Sequence, residues 1–160
     1  MREGGGGKEG PMLTIKKILC PTDFSEASLH ALDTAVDLAG LFQAELMVVF
    51  VLAVLPPSPT DPNYRYEVPE FERILHKDAE TKLNEIVKDH VPVTIKVEAV
   101  LGHGNASKEI VRMAEEGQVG LIVIATHGHS GWHHLVMGSV AEKVLRHAHC
   151  PVFAVRELRK

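Results

Sequence analysis

A chain of 160 residues, 45 % of them apolar and 24 % charged, fits one globular domain, long enough to bury roughly 70 % of its unfolded surface. Its formal charge of −4, with no block of basic residues, argues against a nucleic-acid surface. No apolar run reaches the roughly 20 residues that a membrane span needs. The two cysteines, Cys20 and Cys150, read as reduced, buried thiols of a cytosolic chain.

Residues 1–12 form a Gly-rich, charged segment that can bury nothing and has no apolar signal-peptide core. A disordered tail and a cytoplasmic location are expected, with the folded domain over 13–158. The first strand is expected at Lys17–Cys20, leading into Pro21-Thr22-Asp23. Ser25 then caps a helix over Glu26–Leu41, with Leu29, Leu32, Val36 and Ala39 on one face and Gly40 as its stop signal. A second strand, Glu45–Leu52, is an unbroken apolar run of the kind buried on both faces. Val54–Val68 carries Pro56, Pro57, Pro59 and Pro62, and is expected to run irregularly over the surface as a candidate lid or partner-contact loop. A helix over Glu70–His90 follows Pro69, and a strand is expected at Val93–Leu101. Asn105 or Gly104 caps a helix over Ala106–Glu116, and a strand follows at Leu121–Ala125. Gly138 or Ser139 opens the last helix, Val140–Ala148, before a final strand at Val152–Val155.

Five strands alternating with four helices predict a single-domain, Rossmann-like α/β fold, a doubly wound five-stranded parallel sheet most simply ordered 3-2-1-4-5. That order reverses between the first and fourth strands, and ligands of open α/β sheets sit beyond the strand carboxyl ends at such a reversal. Here those ends are Pro21-Thr22-Asp23 and Ala125-Thr126-His127-Gly128. Backbone N–H groups approach an anion closely only where no Cβ intervenes. The helix starting at Gly138-Ser139 adds unpaired N–H groups and a positive dipole end. Taken alone, these small residues equally suit a structural connector, Asp23 an Asx turn capping the first helix, and Val51 plain core.

From Leu13 to Arg156 the chain resembles the universal stress protein family. Lys17-Ile18-Leu19-Cys20-Pro21-Thr22-Asp23-Phe24-Ser25 is similar to its first strand and loop. Thr126-His127-Gly128 through Gly138-Ser139-Val140-Ala141-Glu142-Lys143-Val144 is similar to its ligand loop, and Cys150-Pro151-Val152 to its last strand. The ATP-binding branch carries a Gly, two residues, a Gly, nine residues, then Gly and Ser or Thr. Only the first position differs here, where Ala125 stands. The resemblance implies that Pro21, Thr22 and Asp23 border the adenosine, with Asp23 accepting hydrogen bonds from ribose or base. It also implies that Val51 meets the adenine, that Ile124 and Ala125 line the groove, and that Gly128, Gly138, Ser139 and Val140 hold phosphates. A homodimer paired through the last strand is implied as well.

The loop lacks the lysine of a P-loop, so phosphate recognition falls to N–H groups, the Ser139 hydroxyl, His127 or His129, and Mg²⁺. Four or five charge-assisted bonds at about 1.5 to 3 kcal/mol each, set against an association cost of about 4 to 15 kcal/mol, predict micromolar affinity. Neither an arginine nor a clear carboxylate stands beside the cradle, so no catalytic residue is assigned and any hydrolysis is expected to be slow. His127, His129, His133 and His134 lack metal-ligand spacing, and no protein metal site is expected. The expected function is an ATP-binding switch in stress response, with unknown protein partners. The alternatives are a nucleotide-independent dimeric interaction module and a slow ATPase.

Overall fold

The computed structural model describes residues 14–53, 64–126 and 137–156, with the backbone alone at 64–69. Its elements are β1 (Lys17–Pro21), α1 (Glu26–Phe42), β2 (Glu45–Leu52), α2 (Tyr64–His90), β3 (Val97–His103), α3 (Ala106–Glu116), β4 (Leu121–Ala125), α4 (Ser139–His147) and β5 (Val152–Val155). The strands pair in parallel in the order β3-β2-β1-β4-β5, as the sequence predicts.

Successive strand residues point to opposite faces of a sheet, which divides the core into two layers. Ile18, Cys20, Leu46, Val48 and Val123 pack with Ala31, Leu32 and Ala35 of α1 and Leu83 of α2. Leu19, Met47, Val49, Ile122 and Ile124 pack with Ile110 and Met113 of α3 and Ala141 and Val144 of α4. Burial on both faces is why the central strands read as continuous Val, Ile and Leu runs. Gly102 of β3 permits the close approach of α3, since a Cβ there would lie 2.8 Å from Met113 Cε and 2.9 Å from Glu109 Cγ.

Several boundaries differ from expectation for local reasons. α1 runs through Gly40 to Phe42, because Gln43 takes the left-handed cap (φ 53°) and donates to the carbonyls of Ala39 and Gly40. α2 starts at Tyr64, so Pro69 lies inside the helix rather than ahead of it and forfeits a single ladder bond. The predicted irregular segment is therefore helical over 64–68, while 54–63 falls outside the described residues. β3 starts at Val97 instead of Val93 because the chain turns after Pro92, with Ile95 N–H donating to Pro92 O at 3.0 Å. It continues past Leu101 to His103. β1 extends to Pro21, and α4 runs over Ser139–His147 rather than Val140–Ala148. Cys20 is fully buried, and burial pushes its thiol up to about 12; Cys150 is partly buried and raised for the same reason. Among the described residues no helix is long and apolar enough to cross a membrane.

Candidate functional site

At the sheet reversal β1 and β4 part company. Their pairing stops at Leu19 with Ile122, whereas β1 and β2 stay in register through Pro21 with Val49. One residue further, Thr22 N–H still donates to Val49 O at 2.8 Å. The splay opens a cavity of about 330 Å³, within the range of about 300 to 1,000 Å³ typical of small-molecule sites. Its lining comes from Pro21, Thr22, Asp23 and Ser28 at the β1–α1 junction, Val49, Phe50 and Val51 of β2, and Ala106 and Ile110 of α3. Ile124, Ala125 and Thr126 at the end of β4 and Gly138, Ser139, Val140 and Ala141 at the start of α4 complete it.

The β1–α1 junction is satisfied by its own side chains. Asp23 Oδ1 accepts from Ser25 N–H at 3.1 Å and from the Ser25 hydroxyl. Ser25, the N-cap, accepts in turn from Ser28 N–H at 3.2 Å. Thr22 Oγ1 accepts from Phe24 N–H and shares a hydrogen with Ser28 Oγ, both at 3.0 Å. This network holds Phe24 at φ 65°, a left-handed conformation costly for an aromatic residue, by about 1 to 3 kcal/mol. The Phe24 ring rests on Phe50, centroids 4.3 Å apart. Asp23 thus makes the Asx turn and also lines the cavity, where it is the single charged side chain among the described lining residues.

The start of α4 is arranged in the opposite way. Gly138 is its N-cap in extended conformation (φ −69°, ψ 153°) and supplies no side-chain cap. The first helical bond runs from Glu142 N–H to Gly138 O at 2.9 Å. The N–H groups of Ser139, Val140 and Ala141 precede that bond, and all three residues line the cavity. Both ends of the intervening loop are tied to the sheet: Thr126 N–H donates to Val155 O at 2.9 Å, and Gly138 N–H to Thr126 O at 2.6 Å.

A second pair of backbone groups lies across the cavity. Val49 O serves Thr22 on the β1 side, whereas Leu52 O accepts from Gly104 N–H at 2.8 Å on the β3 side. Alternate residues of a strand bond to alternate neighbours, so Val51 N–H and C=O face the line of β1, which has already ended at Pro21.

Ala125, where the family pattern has glycine, resolves simply. It is a strand residue and is absent from the left-handed non-glycine positions, which among the described residues are Phe24, Gln43 and Gln118. It packs against the α1/α2 layer, whereas its neighbour Ile124 belongs to the α3/α4 layer. The methyl group therefore neither strains the backbone nor points toward the α4 start.

Of the residues singled out in the sequence, Pro21, Thr22, Asp23, Val51, Ile124, Ala125, Gly138, Ser139 and Val140 converge on this cavity. His127, Gly128 and His129 lie outside the described residues. Sequence reasoning missed Ser28, Val49, Phe50, Ala106 and Ile110, and it quoted Thr126 and Ala141 within the loop motif without assigning them to the site. The i, i+4 spacing of Ala106 and Ile110 marks an inward face of α3, but the same spacing serves plain core. No lysine, arginine or histidine of the described residues lines the cavity, and among those residues no cluster of His, Cys, Asp and Glu could hold a metal.

Residues 14–156 match the universal stress protein family. Universal stress protein MJ0531 of Methanocaldococcus jannaschii is 33 % identical over 91 % of this chain and 84 % of its own length. The solved structure of MJ0577 from the same organism is 30 % identical, covers 92 % of this chain and 99 % of its own, and superposes with a TM-score of 0.75. A universal stress protein solved in complex with cAMP shares the fold at 22 % identity, with a TM-score of 0.61 over 89 % of this chain and 98 % of its own.

Proposed function

The chain belongs to the universal stress protein family, and on that premise we propose that it binds ATP at the sheet reversal and acts as a nucleotide-dependent switch in stress response. The observation that carries this reading is the start of α4, where Gly138 supplies no side-chain cap and Ser139, Val140 and Ala141 line a cavity with no cation among its described residues. Phosphate oxygens complete such a helix start by hydrogen bonding and by the positive end of its dipole. The Val51 N–H and C=O match the adjacent acceptor and donor on the adenine edge, N1 and the N6 amino group. Guanine presents the reverse pattern there. A neighbour of the same fold that holds cAMP supports an adenine ligand.

ATP carries about four negative charges and the chain is itself acidic, so Mg²⁺ bound by the phosphates and water would accompany it. Asp23 is the single charge of the described lining, which offers no arginine or lysine to stabilise a transferring phosphoryl group. Hydrolysis is therefore slow or absent, and the bound nucleotide serves as a signal. The switch works as a cytoplasmic homodimer. β5 pairs only with β4 among the described strands, and it leaves Phe153 48 % exposed on an edge that needs covering.

Titration calorimetry of ATP with Mg²⁺ tests the reading. A micromolar Kd, one site per chain and at least tenfold preference over GTP are expected. No heat at millimolar ATP would discard the site, and equal affinity for GTP would discard the assignment of Val51 to the base.

A further inference from the structure

We propose that the groove between α3 and α4, on the outer side of that layer, docks an acidic peptide segment of a partner protein. The groove has a volume of about 480 Å³, lined by Asn105 and by Ser107, Lys108, Val111, Arg112 and Glu115 of α3 opposite Lys143 and His147 of α4, so that its one lining carboxylate lies at the far end, beyond Arg112. It is distinct from the cavity at the sheet reversal, which the same helices meet through Ala106, Ile110 and Ala141. Lys108 with Arg112 and Lys143 with His147 are i, i+4 pairs, each confined to one side of its helix. Two basic rows thus border one groove, with half-buried Val111 between them.

Existing ion pairs decide which of these charges are available. Glu109 and Glu116 hold Arg112, Glu142 holds Arg146, and Glu115 at the foot of the groove lies 3.9 Å from His149. Lys108 and Lys143 have no carboxylate partner among the described residues. Two unmatched ammonium groups on opposite banks of one groove repel each other, and an occupant bearing carboxylates relieves that repulsion. The complementary segment has an apolar side chain for Val111 flanked by two acidic residues. A phosphate polymer fits less well, because it has no apolar side chain to place on half-buried Val111 between the two lysines.

Fluorescence anisotropy with the full chain tests this, using a labelled nonapeptide built around Glu-Leu-Glu and a charge-reversed copy built around Lys-Leu-Lys. The acidic peptide should bind the native chain with an affinity that falls as salt rises. The double variant K108E/K143E, whose substitutions are exposed and whose fold is checked by circular dichroism, should bind it at least tenfold more weakly. That variant should prefer the Lys-Leu-Lys peptide instead. Equal binding of the acidic peptide by native and variant chains would overturn the proposal, as would no binding at millimolar peptide. So would tighter binding of polyphosphate than of peptide, or self-association of the native chain that K108E/K143E abolishes, which would give the groove to a second copy.

Discussion

Two helices begin beside the same cavity, and the N-cap side chain serves a helix N–H at one and is absent at the other. At α1, Ser25 caps the helix, Asp23 accepts from Ser25, and Thr22 and Ser28 bond to each other, so local side chains complete the junction. At α4, Gly138 offers no side chain, and among the described residues no partner is seen for the N–H groups of Ser139, Val140 and Ala141, three residues that line the cavity. The two helices share a dipole direction relative to the sheet, so field alone does not separate them. Capping chemistry does: the Ser25 side chain caps α1, whereas Gly138 brings no cap to α4, which on the proposed function is completed by phosphate.

The comparison breaks most visibly if α4 is given a cap of its own. Gly138→Asp adds a carboxylate acceptor at a backbone conformation that Asp adopts readily. At least two charge-assisted bonds to phosphate are then lost, about 3 kcal/mol or more. Calorimetry should show ATP affinity down at least about 100-fold, with the melting temperature unchanged or slightly higher. A variant that melts earlier yet keeps its affinity would contradict the account. Ser25→Ala should do the reverse. Removing the α1 cap costs about 1 kcal/mol, lowering the melting temperature by about 2 to 4 °C, while ATP affinity stays within about threefold.

Cys20 reports the same asymmetry by alkylation. Its thiol, buried beneath the α1 layer and pushed up to about 12, stays protonated and unreactive at pH 8. Ser25→Ala should accelerate its labelling and Gly138→Asp should not. Between about pH 9 and 12 the unfolded chain loses this proton and the folded chain keeps it, so stability falls as pH rises through that window. The smallest effect belongs to Ala125→Gly. Its methyl faces the α1/α2 layer, so ATP affinity should change less than twofold, with about 0.5 to 1 kcal/mol lost from the strand. A large gain in affinity would show that the methyl reaches the ligand.

What was legible in the sequence was what local chemistry writes. Alternation of apolar strands with periodic helices gives the sheet order, and Ser25 and Asn105 mark their helix starts because each cap is a single side chain bonding the N–H three residues on. Gly40 and Pro69 misled because each breaks helices only on average. At Gly40 the true stop is the left-handed Gln43, and at Pro69 the missing N–H sits within a helix of 27 residues. Ala106 and Ile110 were invisible as cavity residues, since apolar helix spacing does not say whether the facing space holds protein or ligand. Asp23 required the structure for another reason. Its Asx turn, which serves Ser25 rather than capping the helix itself, still leaves Asp23 on the cavity lining, so the structural role does not exclude contact with a ligand.

The central claim is that α4, and not α1, completes its start with the phosphates of ATP. A ¹⁵N-resolved titration of the full chain with ATP and Mg²⁺ tests it most directly. The account predicts that the amide signals of Ser139, Val140 and Ala141 move most strongly and saturate at micromolar ATP, while those of Glu26, Ala27 and Ser28 move little. Saturating shifts at the α1 start with the α4 amides unmoved would contradict it.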